Sequence, residues 1–277
     1  MMRNKKPVSR IVLFTLLLLV SLVTLFPFFW MLSTSLKDSV LVFSYPPKLI
    51  PESFTWSNYV DAWVESNMSH ALVNSLFIAI LSTAGNVIIS SMAAYSFAKI
   101  DFKGRSLFFM IVLATIMIPF QVTLIPSFVI FKNFGWINTY YPLIVPMLFG
   151  SASNVFLMRQ YVMRIPDAYR EAAKIDGCGE MRIWMQVILP MSIPMLVSIA
   201  VLTFMGKWNE FLGPMLYLSG RDRLSVPIML RVFQSEHTTR WNLLMAASCI
   251  ALMPIMILYT VSQKYIIGGI MLGGIKG

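Results

Sequence analysis

The sequence is short of charge. Asp, Glu, Lys and Arg make up 12% of its 277 residues, and apolar residues make up 57%. Soluble domains carry roughly 25% charged residues. So few charges cannot cover a water-facing surface of this size, which excludes a soluble globular protein and leaves an integral membrane chain. Cysteine and histidine are scarcer, with two of each. Cys178 lies in a charged stretch and Cys249 in a late apolar one, so they make a poor disulfide pair. With His70 and His237 they form no metal-ligand spacing, and no metal site is expected. A nucleotide-binding glycine loop is also missing. Gly206-Lys207 is followed by Trp208 rather than Ser or Thr, and no glycine stands five positions earlier. No Ser/His/Asp arrangement and no paired carboxylates occur in the apolar stretches. The chain is therefore expected to be no enzyme, to hold no cofactor and to hydrolyse no ATP itself.

The charge that is present is lopsided, with 22 Lys and Arg against 12 Asp and Glu, a net +10. Nucleic-acid binders cluster such charge on a soluble face. Here loop placement accounts for it, and no nucleic-acid partner is expected.

A spanning helix needs about 20 mostly apolar residues, and the sequence offers six such stretches. They lie at about Ile11–Leu32, Leu72–Ala98, Leu107–Phe131, Tyr141–Met158, Ile193–Leu216 and Leu244–Ile267. The first follows Arg3, Lys5, Lys6 and Arg10 and resembles a signal peptide. Its apolar run exceeds the usual ~7–15-residue signal core and no small-x-small site follows, so a retained anchor is expected. The second is rich in Ala, Ser and Gly, which lets helices pack closely in lipid. Pro119, Pro126, Pro142, Pro146 and Pro254 fall inside spans, where neighbouring groups can re-satisfy the freed carbonyls. Asn74, Ser75, Gln121, Thr123 and Asn154 are expected to hydrogen-bond between helices. With the N-terminus inside, 14 of the 22 Lys and Arg fall on the inner side. The positive-inside rule then puts both termini in the cytoplasm. The fold class is all-α, a polytopic membrane protein. Residues 1–71 hold the first span and an outer loop, 72–265 a five-helix core, and 266–277 a Gly-rich cytoplasmic tail.

On this topology residues 159–189 are cytoplasmic. Asp167 reads as an N-cap after Pro166. Ala168, Ala172 and Ile175 recur at helical spacing as one apolar face, and Gly177 ends the helix. A second short helix carries Ile183, Trp184, Val187 and Ile188 toward the bilayer boundary before Pro190. Two readings fit the residues: an interfacial helix lying on the membrane, or a docking element for a cytoplasmic partner.

Glu171-Ala172-Ala173, three residues, Gly177, nine residues, Val187, one residue and Leu189-Pro190 resemble the "EAA" signature of binding-protein-dependent ABC importer permeases, with Val for the usual Ile. The likeness covers nearly the whole chain. Gly135-Trp136-Ile137-Asn138-Thr139 and Trp208-Asn209-Glu210-Phe211 resemble two further stretches of that family. Gln263-Lys264-Tyr265 and the Gly-rich tail resemble the C-terminus of the shorter, six-span permease of maltose-type systems. The resemblance implies a coupling helix seated on an ATP-hydrolysing subunit, with Glu171, Ala172, Ala173, Asp176, Gly177, Leu189 and Pro190 at that connection. It implies two ATP-binding subunits that hold ATP and Mg, a second homologous permease, an external sugar-binding protein and a bacterial or archaeal inner membrane.

Trp208, Asn209 and Glu210 read either as boundary residues or as part of a sugar pathway, since sugars stack on aromatic rings and hydrogen-bond to amides and carboxylates. Arg221, Arg223 and His237 read as solvated loop or, by the resemblance, as contacts for the external binding protein. A secondary transporter is the main competitor. It would carry inverted repeats or intramembrane carboxylates, and Glu210 is the nearest candidate. An importer permease for another solute, such as glycerol phosphate, is the second.

Overall fold

The computed structural model describes residues 7–234 and 239–274. Among these residues the chain is helical, with one isolated antiparallel bridge between Gln234 and Thr239. In chain order the helices are α1 Pro7–Ser35, α2 Ser57–Glu65, α3 Met68–Lys99, α4 Arg105–Met117, α5 Phe120–Asn133, α6 Tyr141–Ile144, α7 Ala152–Val162, α8 Asp167–Ile175, α9 Glu180–Met191, α10 Ile193–Trp208, α11 Leu212–Tyr217 and α12 Trp241–Gly274. Four are long and apolar enough to cross a membrane, counting Tyr141–Val162 as one; two bent pairs, α4 with α5 and α9 with α10, bring the total to six.

The chain forms two compact units. One holds Met1–Met68 and Leu230–Leu252. Within it, the side chains of α1 from Ile11 to Phe29 stay exposed, as suits a helix surrounded by lipid. The unit is tied together beyond α1. The Asn58 amide donates to the carbonyls of Ser35 and Lys37 at 2.9 and 2.8 Å, and accepts from the Asn242 amide at 3.0 Å. Arg240 pairs with Glu65 through both guanidinium nitrogens.

The other unit holds Ser69–Met229 and Met253–Gly277. Its long helix α3 has 32 residues, about 48 Å at 1.5 Å per residue, well beyond a hydrocarbon core of about 30 Å. The third expected span is no single helix: α4 and α5 meet at 96°. Pro119 cannot continue α4, and the residue before a proline avoids the helical region; Ile118 and Pro119 are both extended. Pro126 sits inside α5 without ending it. The fourth span is interrupted between α6 and α7, where the chain passes through a 3₁₀ segment to Gly150. The fifth stops at Trp208 and resumes only at Leu212.

The break in the fourth span is satisfied by α3. The Asn86 side chain is fully buried. It donates to the Met147 carbonyl at 3.3 Å and accepts from the Asn154 amide at 2.6 Å, while Asn154 also reaches Thr203 at 2.8 Å. Ser82 donates to the Leu143 carbonyl, and the Ser151 amide donates to Ser90. Helix–helix bonding by Asn154, expected from the sequence, is present. Thr123 instead bonds within its own helix, to the Phe120 carbonyl.

Gly150 adopts φ 82°, ψ 176°, a region open essentially only to glycine. An added Cβ would also lie 3.1 Å from the Ser90 hydroxyl that holds Ser151. Gly150→Ala is expected to destabilise the unit by about 1–3 kcal/mol. Gly179→Ala, with φ −73° and open space around it, should stay within about 0.5 kcal/mol. Thermal denaturation of the detergent-purified protein checks both.

Candidate functional site

The segment between α7 and α10 is built as an elbow of two short helices. Pro166 is extended and precedes the first turn of α8, and Asp167 is the first helical residue rather than the cap. Its carboxylate is taken by another partner. Lys99, at the end of α3, donates to Asp167 at 2.7 Å and to the Ile165 carbonyl at 2.5 Å. That hydrogen bond and the ammonium charge hold the Asp167 carboxyl below its ordinary range.

Gly177 ends α8 as expected. At φ 78° its N–H bonds Lys174 and the next N–H, of Cys178, bonds the Ala173 carbonyl at 2.9 Å. This six-to-one closure, with Ala173 and Cys178 both packed on the same apolar cluster, is the left-handed helix stop that favours glycine. Asp176 is the exposed C-cap.

The apolar face expected from Ala168, Ala172 and Ile175 is not turned inward. All three are exposed with Glu171, and Ile175 is 87% exposed. The opposite side, through Arg170 and Ala173, holds α8 to the protein. The helix is too short to bury two faces, and ion pairing fixes the polar one inward.

Arg170 meets Glu180 across the elbow, with Nη2 at 2.5 Å from Oε1 and Nε at 3.2 Å from Oε2. Lys174 approaches the same carboxylate at 2.9 Å, and the Tyr95 hydroxyl of α3 donates to it at 2.5 Å. Glu180 stands at the foot of α9, outside the apolar stretch that opens at Ile193. The Arg170 hydrogen bond, opposed by partial burial and helped by Tyr95 and Lys174, holds its carboxyl at about 2. Sequence reasoning passed over Glu180, Tyr95 and Lys99. A carboxylate opening the second helix was the available signal for Glu180; nothing local marks the other two.

Ile183, Trp184 and Ile188 are buried in protein and do not face the bilayer boundary. They join Ala94, Tyr95, Met158, Val162 and Ile199 in one cluster, with Val187 and Leu189 packed against it. Pro190 has no N–H for the carbonyl four residues back, and the chain takes a π-helical turn over Trp184–Ile188 ahead of it. After Ser192 the direction changes by 83° into α10.

A second feature lies at the far end of α10. A cavity of about 600 Å³ is lined by Phe120, Thr123, Phe131, Tyr217, Lys207 and Glu210, among others. Lys207 and Glu210 pair at 2.7 Å with side chains 15% and 21% exposed. Glu210 thus enters the cavity. Trp208 does not line it: it is 2% exposed and stacked on Phe204 at 5.8 Å. Asn209 is exposed and bonds the Met205 carbonyl.

Arg221 and Arg223 are exposed, and Arg223 donates to the Asn138 carbonyl. Asn74 of α3 donates to the carbonyls of Asp222 and Leu224 at 2.8 and 3.1 Å, and the Ser75 hydroxyl accepts from the Val226 amide. This loop is therefore pinned to α3. His237, Lys276 and Gly277 lie outside the described residues.

Residues 85–271 match the family described as the binding-protein-dependent transport system inner membrane component. The arabinooligosaccharides transport system permease protein of Halalkalibacterium halodurans is 32% identical over 93% of both chains. The trehalose/maltose transport system permease protein of Thermococcus litoralis is 34% identical over 99% of both. A chain of a bacterial ABC transporter involved in the import of the acidic polysaccharide alginate has the same fold, with a TM-score of 0.82, 22% identity, and coverage of 96% of this chain and 99% of that one.

Glu180 has a depressed carboxyl pKa, so its contribution to stability is complete above the unfolded value of about 4.3 and is lost as pH falls toward about 2. Glu180→Gln is expected to cost about 1–2 kcal/mol at pH 7, allowing for partial exposure. That difference from the parent should hold from pH 8 to about 5 and shrink below about 4.3. Parallel thermal melts across this range check the sign.

Proposed function

We propose an importer permease for sugars as the function of this chain, which belongs to the family of binding-protein-dependent transport system inner membrane components. In this reading a sugar, delivered by an external binding protein, crosses the cytoplasmic membrane between this chain and a second homologous permease. ATP and Mg are bound and ATP is hydrolysed by two separate subunits. Both termini of this chain face the cytoplasm, in keeping with the distribution of its Lys and Arg.

The observation that carries the reading is the exposed face of α8. Ala168, Glu171, Ala172 and Ile175 stand outward while the other side of the helix is fixed by ion pairs. Small side chains at 168 and 172 let another protein's surface approach the backbone, and Glu171 offers it a hydrogen-bonding carboxylate. ATP binding draws the two ATPase subunits together, and a docked α8 follows. Asp176 and Gly177 set the angle of the elbow, Leu189 and Pro190 pass the displacement into α10, and the cavity alternates between the two sides.

The cavity beside α10 supports a sugar cargo. Phe120, Phe131 and Tyr217 offer ring faces, and Thr123, Lys207 and Glu210 offer hydrogen-bonding groups. Trp208 and Asn209 then act from behind it, Trp208 by packing α10 and Asn209 by closing its last turn. Arg221, Arg223 and His237 belong to the loop that meets the binding protein.

Glu171→Lys and Gly177→Pro are expected to lower uptake by at least about tenfold in vesicles holding all the subunits, while the chain still inserts and still pairs with the second permease. Wild-type uptake by either variant would overturn the docking role of α8. For the cargo, Glu210→Gln should raise KM for the transported sugar by about fivefold or more, with ATP hydrolysis retained. A binding protein that retains glycerol phosphate and no saccharide would overturn the sugar assignment.

A further inference from the structure

The last turn of α3 holds the docking segment at both of its ends. Tyr95 and Lys99 are one helical turn apart and share a face of the helix. Tyr95 reaches the elbow through Glu180, 85 residues on, and Lys99 reaches the entrance of α8 through Ile165 and Asp167. Between them, the Phe97 carbonyl accepts from Arg159 Nε at 3.1 Å, and that guanidinium lies 4.2 Å from the Phe109 ring centre. The Lys99 side chain is only 5% exposed, so its charge is committed to these partners. Covalently, α8 is attached to the membrane part of the chain through the Arg164–Pro166 turn and through the Gly177–Gly179 elbow. Both are poor at passing a push.

We propose that Tyr95, Lys99 and Glu180 are positioning residues that make α3 and the α8–α9 elbow one rigid body. Motion of the docked helix is then delivered to α3, not only to its covalent neighbours α7 and α10. α3 is unbroken for its whole length and carries Asn86, Ser90 and Ser82, which satisfy the interrupted fourth span. It also carries Asn74 and Ser75, which pin the outer loop at 222–226. A displacement at Lys99 therefore reaches the opposite end of the same helix without a joint. This inference rests on the docking role of α8 for its direction of force, but the rigid connection stands or falls separately.

The test uses the assembled complex with Cys178 and Cys249 replaced by Ser and spin labels at Leu81 and Met181, both exposed. Leu81 lies about 21 Å along the helix axis from Tyr95, so the pair reports α3 against the elbow. In the parent, one narrow distance is expected, unchanged within about 2 Å between the nucleotide-free and the ATP–vanadate states. Tyr95→Phe and Glu180→Gln should broaden the distribution by about 5 Å, one helical turn. The double variant should add little to the worse single one, because both act on the Tyr95–Glu180 contact. A parent distance that shifts by a helical turn on ATP–vanadate overturns the rigid body, as do variants with parental widths. Lost thermal stability with a parental width assigns these residues a purely structural role and also overturns it. Failure of the ATPase subunits to bind the parent complex would instead strike the docking reading, while the nucleotide-free distances still decide the connection.

Discussion

One carboxylate holds the α8–α9 elbow of this protein together. Glu180 receives Arg170 and Lys174 from α8 and the Tyr95 hydroxyl from α3, while standing itself at the start of α9. An isolated helix shorter than about 12–15 residues is marginal in water, and α8 has nine. Its outward face buries nothing within the described residues, so its stability must come from the inward face and its ends. Ala173 supplies a small apolar contact, Asp167 an ion pair with Lys99, and Arg170 the bidentate pair with Glu180. Remove Glu180 and two cations and a buried-side tyrosine lose their common partner. The hinge glycines would then leave α8 free to swing.

The scarcity of charge imposes the complementary constraint inside the membrane. Interrupted helices expose backbone groups that lipid cannot satisfy, so such breaks survive only where protein groups complete them. Here the completion comes largely from one helix. Asn86 and Ser82 bond carbonyls of the segment 143–147, and Ser90 bonds the amide that restarts α7. This explains why α3 is rich in small polar residues. Ser, Asn and Gly let a neighbouring backbone come close and then provide it with partners. At Gly85 an added Cβ would fall 2.2 Å from a Leu148 methyl, a measure of how closely the two segments approach.

Much of this was legible in the sequence, for stated reasons. Span count follows from composition and length alone. The stop at Gly177 follows from glycine's access to positive φ. The start of α8 is legible to within one residue and its cap is not: Asp167 satisfies the cap pattern locally but is the first helical residue, with its carboxylate claimed by Lys99 from 68 residues away. Periodicity identified an apolar stripe at Ala168, Ala172 and Ile175, yet it cannot say whether a stripe faces the chain's own core, lipid or a partner. The same limit applies to Ile183, Trp184 and Ile188, read toward the bilayer and found in the protein core. The bends at Pro119 and Ser192 were half legible. Proline marks a break, but whether a break becomes a kink or a right-angle turn depends on what packs in the corner. Trp208 looked like a boundary aromatic by its place in the sequence, and ended as a core residue because Phe204, one turn earlier, stacks on it.

The signature residues of the 164–190 segment divide into those the folded chain accounts for and those it does not. Gly177 is needed for its φ, and Ala173 packs with Cys178 on the buried cluster where the helix stop closes. Leu189 and Val187 pack against the buried cluster, where Val in place of Ile removes one methylene from a half-buried position. Pro190 coincides with the π-helical turn. Each has a structural reason internal to this chain. Glu171 and Ala172 have none: both are exposed, and among the described residues Glu171 enters no ion pair, whereas Asp167 and Glu180 do. A helix clamped this firmly on one side, with its small and acidic residues held outward on the other, has its geometry fixed before any partner arrives. Rigidity of that kind adds nothing to a helix that merely rests on a membrane surface. It matters for one that must transmit a displacement, because a link that bends under load delivers less motion than it receives.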